Sequence, residues 1–342
     1  MKKILAAMSG GVDSAVTAAL LRRAGYTVGG AVMRLHADAD SEIADARRSA
    51  AQLGIDFHVF SWQPEFRRLV QEPFMRIYQS GGTPNPCVIC NRTVKFGLFL
   101  DEALRLGYDG MATGHYARVE YDAGSGRYLV KTAADAAKDQ TYMLYSLTQA
   151  QLSRVVLPMG ALSKAQAREL ARELGLSVAH KQDSQDICFI PDGDYMTFLT
   201  QNGVVPQAGH FIGMDGRDFG PHRGMEAYTI GQRRGLDIPY GTRIYVTGKR
   251  GGDVYIGPNE ALFSRRVRIS DVNFIPFDHL DGELRAQAKL RYTPKTAACT
   301  VRPTEDGAEL LFDEPQRAVT PGQAAVLYDG EILLGGGTIA ES

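Results

Sequence analysis

Seven residues near the start, Met8-Ser9-Gly10-Gly11-Val12-Asp13-Ser14, constrain this chain more than any other stretch. They follow an apolar run at 4–7 and precede residues 15–21, rich in good helix formers, which reads as strand, tight glycine turn, helix. That is a phosphate-binding geometry. Gly10 and Gly11 let the backbone approach an anion, and the free N–H groups of a helix opening near Asp13 and Ser14 point at it with the positive end of the dipole. Ser9 and Ser14 add hydroxyl donors, and Asp13 is a candidate ligand for Mg2+ on a triphosphate. A glycine turn also joins strand to helix in α/β proteins that bind nothing, so the turn alone leaves both readings open.

The full SGGVDS at a first strand–helix junction resembles the pyrophosphatase loop of the ATP-pyrophosphatase superfamily, whose members cleave ATP to AMP and pyrophosphate. No G-x-x-x-x-G-K-[ST] occurs anywhere in the chain, so a Walker-type enzyme is not supported.

The chain has 342 residues, enough for two or three domains, and its 44% hydrophobic and 23% charged residues fit a soluble globular protein. Two lysines and a short apolar run at the start imitate a signal peptide, but the run is too short and leads straight into the glycine loop, so it reads as a first strand. No stretch approaches the ~18 apolar residues of a membrane span. The expected location is cytoplasmic. Four cysteines, Cys87, Cys90, Cys188 and Cys299, are too few for a disulfide framework and read first as redox, catalytic or metal-binding thiols.

Strands at 26–33, 57–60 and 110–113 alternate with helical patterns at 42–53, 64–78, 93–106 and 163–174, which argues for βαβ units and a parallel sheet with its ligands at the carboxyl ends of the strands. Met33, at such an end, is either core or a surface for an adenine ring. Residues 80–86, SGGTPNP, read as an irregular loop delivering Cys87 and Cys90. Cys90 then stands near the start of the 93–106 helix, where the dipole favours its thiolate. Residues 117–121 and 127–131 read as a hairpin, and 148–155 as a helix after the polar cluster Lys138-Asp139-Gln140. In DSQDICFIP, at 183–191, Cys188 lies among Ile187, Phe189 and Ile190, where burial would raise its pKa; taken singly it reads as core.

Helical periodicity disappears after about residue 200. The net charge of −1 conceals a basic stretch between Arg223 and Arg250, with six basic residues against two acidic ones and Tyr228, Tyr240 and Tyr245 interleaved, a mix that suits RNA or a merely solvated face. Alternating runs at 284–290, 297–301 and 308–312 suggest a small antiparallel barrel, with Cys299 in its core.

Read in order, SGGVDS, TPNPCVIC, ATGHY, KDQTYMLY, DSQDICFIP, YTIGQRRGL and TPGQAAVLYDGEILLGGG make the chain resemble the bacterial tRNA-specific 2-thiouridylase family nearly end to end. The resemblance implies an α/β fold with an N-terminal doubly wound parallel sheet of the adenine nucleotide α-hydrolase type, a small central domain and a C-terminal antiparallel β-barrel. The divisions expected are an ATP-pyrophosphatase catalytic domain at 1–200, a central basic domain contacting tRNA at 201–258, and a barrel contacting tRNA at 259–342. The implied activity is that of a tRNA-uridine 2-sulfurtransferase, acting on the wobble uridine through an adenylated intermediate and sulfur supplied by a relay protein.

By this resemblance Cys188 carries a persulfide and Cys90 is the nucleophile that helps release its sulfur, leaving a transient Cys90–Cys188 disulfide. Ala7, Met8, Ser9, Gly10, Gly11, Val12, Asp13, Ser14, Met33 and Gly114 match ATP contacts, and Asn85, Pro86 and Cys87 match contacts to the target base. His115, Lys138, Asp139, Gln140, Arg291, Tyr292 and Gln323 match tRNA contacts. Cys87 stands where well-known members have aspartate. Cys87, Cys90 and Cys188 are therefore also candidate iron–sulfur cluster ligands, resembling cluster-dependent thiolation enzymes. Two rivals remain: a synthetase that adenylates a small molecule, which needs neither thiol pair nor basic barrel, and a non-catalytic RNA-binding redox sensor.

Overall fold

The computed structural model describes residues 1–181, 187–293 and 295–340. Seven strands fall in its first 160 residues: β1 (Lys3–Ala7), β2 (Thr27–Arg34), β3 (Phe57–Ser61), β4 (Gly110–Ala112), β5 (Ala117–Asp122), β6 (Arg127–Thr132) and β7 (Val155–Val156). Five of them form a parallel sheet in the order β3-β2-β1-β4-β7. Side chains alternate along β1 and its extension: Ile4, Ala6 and Met8 enter one core, Leu5 and Ala7 the other. The first core is covered by α1 (Val12–Arg23), α2 (Asp40–Leu53) and the helix Lys164–Glu173, the second by a helical run at 86–105.

Strand order reverses beside β1, with β2 and β3 on one side and β4 and β7 on the other. Such a switch point leaves a crevice at the carboxyl ends of the strands. The glycine loop after β1 and the turn after β4 border it.

Two expected helices differ. The one expected at 148–155 is a single turn, Gln149–Leu152, opened by a capping box between Thr148 and Gln151. The β-branched pair Val155-Val156 then joins the sheet as its edge strand. The one expected at 93 begins at Pro86, because Pro86 suits the first helical position and Asn85 caps it, its side chain accepting the Val88 N–H at 3.4 Å.

The central region is a four-stranded sheet of β8 (His210–Gly213), β9 (Asp218–Pro221), β10 (Tyr245–Arg250) and β11 (Asp253–Gly257), in the order β10-β11-β8-β9. The tyrosines interleaved with the basic residues pack against the protein itself. Tyr228 is 3% exposed in the core of this sheet, with Arg223 at 5.8 Å, Tyr240 lies against Phe219, and Arg317 covers the Tyr245 ring at 5.1 Å. Arg233 and Arg234 are exposed.

The last region is antiparallel: β12 (Phe263–Phe274), β13 (Leu284–Lys289), β14 (Ala297–Thr304), β15 (Gly307–Arg317), β16 (Ala324–Asp329) and β17 (Ile332–Ile339). Pairing of β12 with β17 closes these six strands into a barrel, and Cys299 lies fully buried inside it, as expected. The β5–β6 hairpin continues the barrel sheet, since Leu333 of β17 pairs with Val130 of β6. Val130, Val326, Tyr328 and Leu333 share one core with Leu5 and Phe99, so the barrel is fused to the second face of the parallel sheet. Among the described residues no helix is long and apolar enough to cross a membrane.

Candidate active site

The glycine loop is set by its own backbone. Gly10 has φ +71°, and a Cβ there would stand 2.4 Å from the Glu42 carbonyl oxygen. Gly11 caps α1 in extended conformation without a side-chain cap, leaving the first amides of the helix to a ligand. The Ser14 hydroxyl accepts the Ser9 N–H at 3.1 Å and donates to Gly11 O at 3.0 Å, closing the loop on itself. Ala7, Met8 and Val12 are buried beneath it while Ser9 is exposed. Gly114 meets the loop from the turn after β4, where a Cβ would lie 3.1 Å from the Asp13 carbonyl carbon and the Ser14 nitrogen.

Asp13, in the first turn of α1, holds two partners from outside the loop. The Tyr116 hydroxyl donates to Oδ1 at 2.9 Å, and the Lys164 ammonium lies 2.8 Å from both carboxylate oxygens. Sequence reasoning missed both partners. Lys164 sits at a helix start, where cations are disfavoured, and nothing local marks it as belonging to a loop 151 residues away.

The thiols lie on two segments. Cys87 is exposed on the first turn of the 86–105 run; Cys90, one turn on, is buried with Phe66, Val70 and Val94. Half-buried Met33, at the end of β2, packs against that cluster and against the second core of the sheet, so it joins the nucleotide crevice to the thiols. Phe189 also packs there, with Phe66 at 5.6 Å and Phe74 at 5.3 Å, which anchors Cys188 beside it. The Cys188 side chain is open to solvent at its rim yet crowded by protein elsewhere, and desolvation pushes its thiol up to about 12. Cys90 and Cys87 raise it further, the Lys95 ammonium lowers it and Glu42 raises it. The expected rise at Cys188 is thus found; residues 182–186 of its motif lie outside the described residues.

Cys90 corrects the other expectation. Its helix begins at Pro86, so Cys90 sits inside it, and burial raises its pKa, offset in part by Lys95 and reinforced by Cys87. Desolvation outweighs the dipole. Lys95, on a π-helical stretch (Asn91–Leu98), is the cation that reaches both thiols.

The other matched residues brace the same region. Asn85 caps the helix beneath Pro86 and Cys87. The His115 ring, 2.6 Å from the Thr113 hydroxyl, is held well below its ordinary pKa by burial and then by Lys95, so it is neutral. Gln140 clasps Tyr116 both ways, its side-chain oxygen accepting the Tyr116 N–H at 3.0 Å and its own N–H donating to Tyr116 O at 2.9 Å. Asp139 is buried, accepting from the Ala133 N–H and the Thr141 hydroxyl. Half-buried Lys138 precedes it. Arg291 and Tyr292 are exposed, and the Tyr292 hydroxyl donates to Asp139 O at 3.1 Å. From the barrel, Gln323 donates to Thr83 O at 3.1 Å and Pro84 O at 3.2 Å, fixing the loop that leads to Cys87.

The three thiols do not fit a common cluster. Cys87 is exposed while Cys90 faces the apolar Phe66–Val94 packing, and no group of three His, Cys, Asp or Glu side chains among the described residues is arranged to hold a metal ion.

Comparisons with known proteins agree with this architecture. Family models described as tRNA methyl transferase HUP domain, tRNA methyl transferase PRC-barrel domain and aminomethyltransferase beta-barrel domain match residues 2–192, 197–258 and 264–339. The tRNA-specific 2-thiouridylase MnmA of Clostridioides difficile (strain 630) is 43% identical over 356 residues, covering 100% of this chain and 99% of that protein. The protein of the same name from Carboxydothermus hydrogenoformans is 46% identical over 356 residues, covering 99% and 97%. The solved U34-tRNA thiolase NcsA of Methanococcus maripaludis, with its [4Fe-4S] cluster, is 18% identical with a TM-score of 0.38 over 59% of this chain and 66% of that one, too distant to carry a functional argument. With full-length identity at this level, and an architecture matching all three family domains, the chain belongs to the tRNA-specific 2-thiouridylase family.

Proposed function

We propose that this chain uses ATP to replace the C2 oxygen of the wobble uridine of tRNA by sulfur. In this reading residues 1–200 form the ATP-pyrophosphatase catalytic domain, while 201–258 and 259–342 contact tRNA. The observation that carries it is the convergence of Cys90 and Cys188, two thiols 98 residues apart, on one apolar cluster through Phe66 and Phe189, beside a loop built for phosphate in a chain of this family.

An oxide is too poor a leaving group to be displaced from uridine, so the C2 oxygen first attacks the α-phosphorus of ATP, and pyrophosphate leaves into the amides of α1 and the exposed Ser9 hydroxyl. Residues Ala7–Ser14, Met33 and Gly114 hold the nucleotide; Asn85, Pro86 and Cys87 receive the target base, swung out of the anticodon loop. Mg2+ on the triphosphate would be held through the Asp13 carboxylate and would screen the phosphate charge. A relay protein loads a persulfide onto Cys188. Its terminal sulfur attacks C2 and AMP departs; Cys90 attacks the Cys188 Sγ, the S–S bond breaks toward the uridine as its thiocarbonyl, and a Cys90–Cys188 disulfide remains. The two thiol protons go to solvent, and a dithiol reductant supplies the two electrons that reset the pair. Lys138, Gln140, Arg291, Tyr292 and Gln323 form the tRNA-facing rim, and the buried Asp139 and neutral His115 support it from beneath.

The test is pyrophosphate release from ATP with and without tRNA, followed by nucleoside analysis. Stimulation by tRNA together with 2-thiouridine supports the reading. Binding of tRNA without either product would instead make the chain an RNA-binding module.

A further inference from the structure

One helix touches both the nucleotide loop and the segment that precedes Cys188 in the chain. Lys164 opens the helix Lys164–Glu173 behind a Ser163–Gln166 capping box. An ammonium at a helix N-terminus opposes the dipole, so its local position is unfavourable. It is compensated at a distance: Lys164 Nζ lies 2.8 Å from both Asp13 oxygens, and its side chain is only 13% exposed. Arg168 stands one turn later on the same face of the helix. Its guanidinium donates to Lys181 O at 3.2 Å and, more weakly, to Ala179 O at 3.5 Å, seven and nine residues before Cys188 in the sequence. A second tie reinforces the first. Lys181 Nζ lies 2.6 Å from Asp45 Oδ2, and the Asp45 Cβ is 3.1 Å from where a Cβ on Gly10 would stand.

We infer that Lys164 and Arg168 are positioning residues through which the helix Lys164–Glu173 sets the nucleotide loop and the Cys188 backbone relative to one another. Lys164 fixes the Asp13 carboxylate at the mouth of the loop and balances its charge until the triphosphate and its cation arrive. Arg168 fixes residues 179–181, and with them the approach of Cys188. The helix thus serves adenylation through its first residue and sulfur delivery through its fifth. A local preference broken without local gain, and repaid by a contact in a functional loop, is the signature expected of such a residue.

This inference rests on the function proposed above, and the experiment separates the two. Pyrophosphate release and 2-thiouridine formation are measured in the same reactions while ATP is varied. Lys164→Met is expected to lower kcat/KM for ATP about 100-fold, with part of the loss recovered by Lys164→Arg. Arg168→Met is expected to keep pyrophosphate release within about three-fold while 2-thiouridine formed per pyrophosphate falls about tenfold, recovered in part by Arg168→Lys. The conservative variants serve wherever a methionine variant melts early. Lys164 variants with unchanged kinetics toward ATP, or Arg168 variants in which both products fall in parallel or neither falls, would overturn the inference. Wild-type protein that yields neither product would refute the proposed function itself.

Discussion

The nucleotide loop and the thiol site adjoin through Met33, yet they are built in opposite ways. Within the loop, the left-handed Gly10, the uncapped start of α1 and the Ser9–Ser14 hydrogen bond all lie within seven residues. The thiol site is assembled from the 80–90 segment, a segment around 188, and a barrel turn whose Gln323 reaches Thr83 and Pro84. The loop is preorganised by backbone geometry, whereas the thiols depend on packing between distant segments. A local defect should therefore silence the first completely, and a remote one should weaken the second by degrees.

The largest effect is expected at Gly10. Alanine there needs a left-handed backbone and meets the Glu42 carbonyl at 2.4 Å, a strain of about 1–3 kcal/mol placed inside the anion site. Gly10→Ala should lower pyrophosphate release about 100-fold while Cys90 and Cys188 still form their disulfide on mild oxidation. Loss of both together would erase the distinction between the two regions.

Next comes pH. Burial raises Cys90 and takes Cys188 up to about 12, so both are protonated near neutrality. Disulfide formation in single turnover should keep rising, by up to about tenfold per pH unit, beyond the ~8.5 of an ordinary thiol. A plateau at that value would show that desolvation does not govern the pair. The sign for stability follows: the folded state holds these protons more tightly than the unfolded chain. Their contribution is fully present below the ordinary thiol pKa and is lost as pH rises through the folded values.

Gln323→Ala removes two hydrogen bonds to the loop before Cys87, about 1–2 kcal/mol in all. Thiolation should slow about tenfold with pyrophosphate release nearly unchanged; a change in ATP kinetics instead would mean that the barrel turn acts on the nucleotide side. The smallest effect concerns Arg233 and Arg234, both exposed. Alanine at each should reduce the salt slope of tRNA binding by about one without altering either chemical step, as measured by binding across salt concentrations.

The same contrast explains what was legible in the sequence. The strand–turn–helix around Gly10 and the alternating barrel runs are written in local periodicity and turn residues, and both are found. SGGTPNP reads as a loop that puts Cys90 at a helix start, whereas Asn85 and Pro86 are themselves the cap and first residue of the helix. Composition leaves Tyr228 open as an RNA contact, because it cannot tell an exposed ring from one at 3% exposure. Lys164, Lys95 and the fusion of the β5–β6 hairpin to β17 are tertiary facts with no local signal. The pairing of Cys90 with Cys188 was suggested by family resemblance alone.

The most direct test of the account is anaerobic single-turnover thiolation of tRNA with ATP and a persulfide donor, on wild type and on Cys90→Ser, Cys188→Ser and Cys87→Ser, with iron and sulfide measured in each preparation. The account predicts 2-thiouridine from iron-free wild type, none from Cys90→Ser or Cys188→Ser, and activity retained in Cys87→Ser. Thiolation that scales with bound iron and is lost in Cys87→Ser would contradict it.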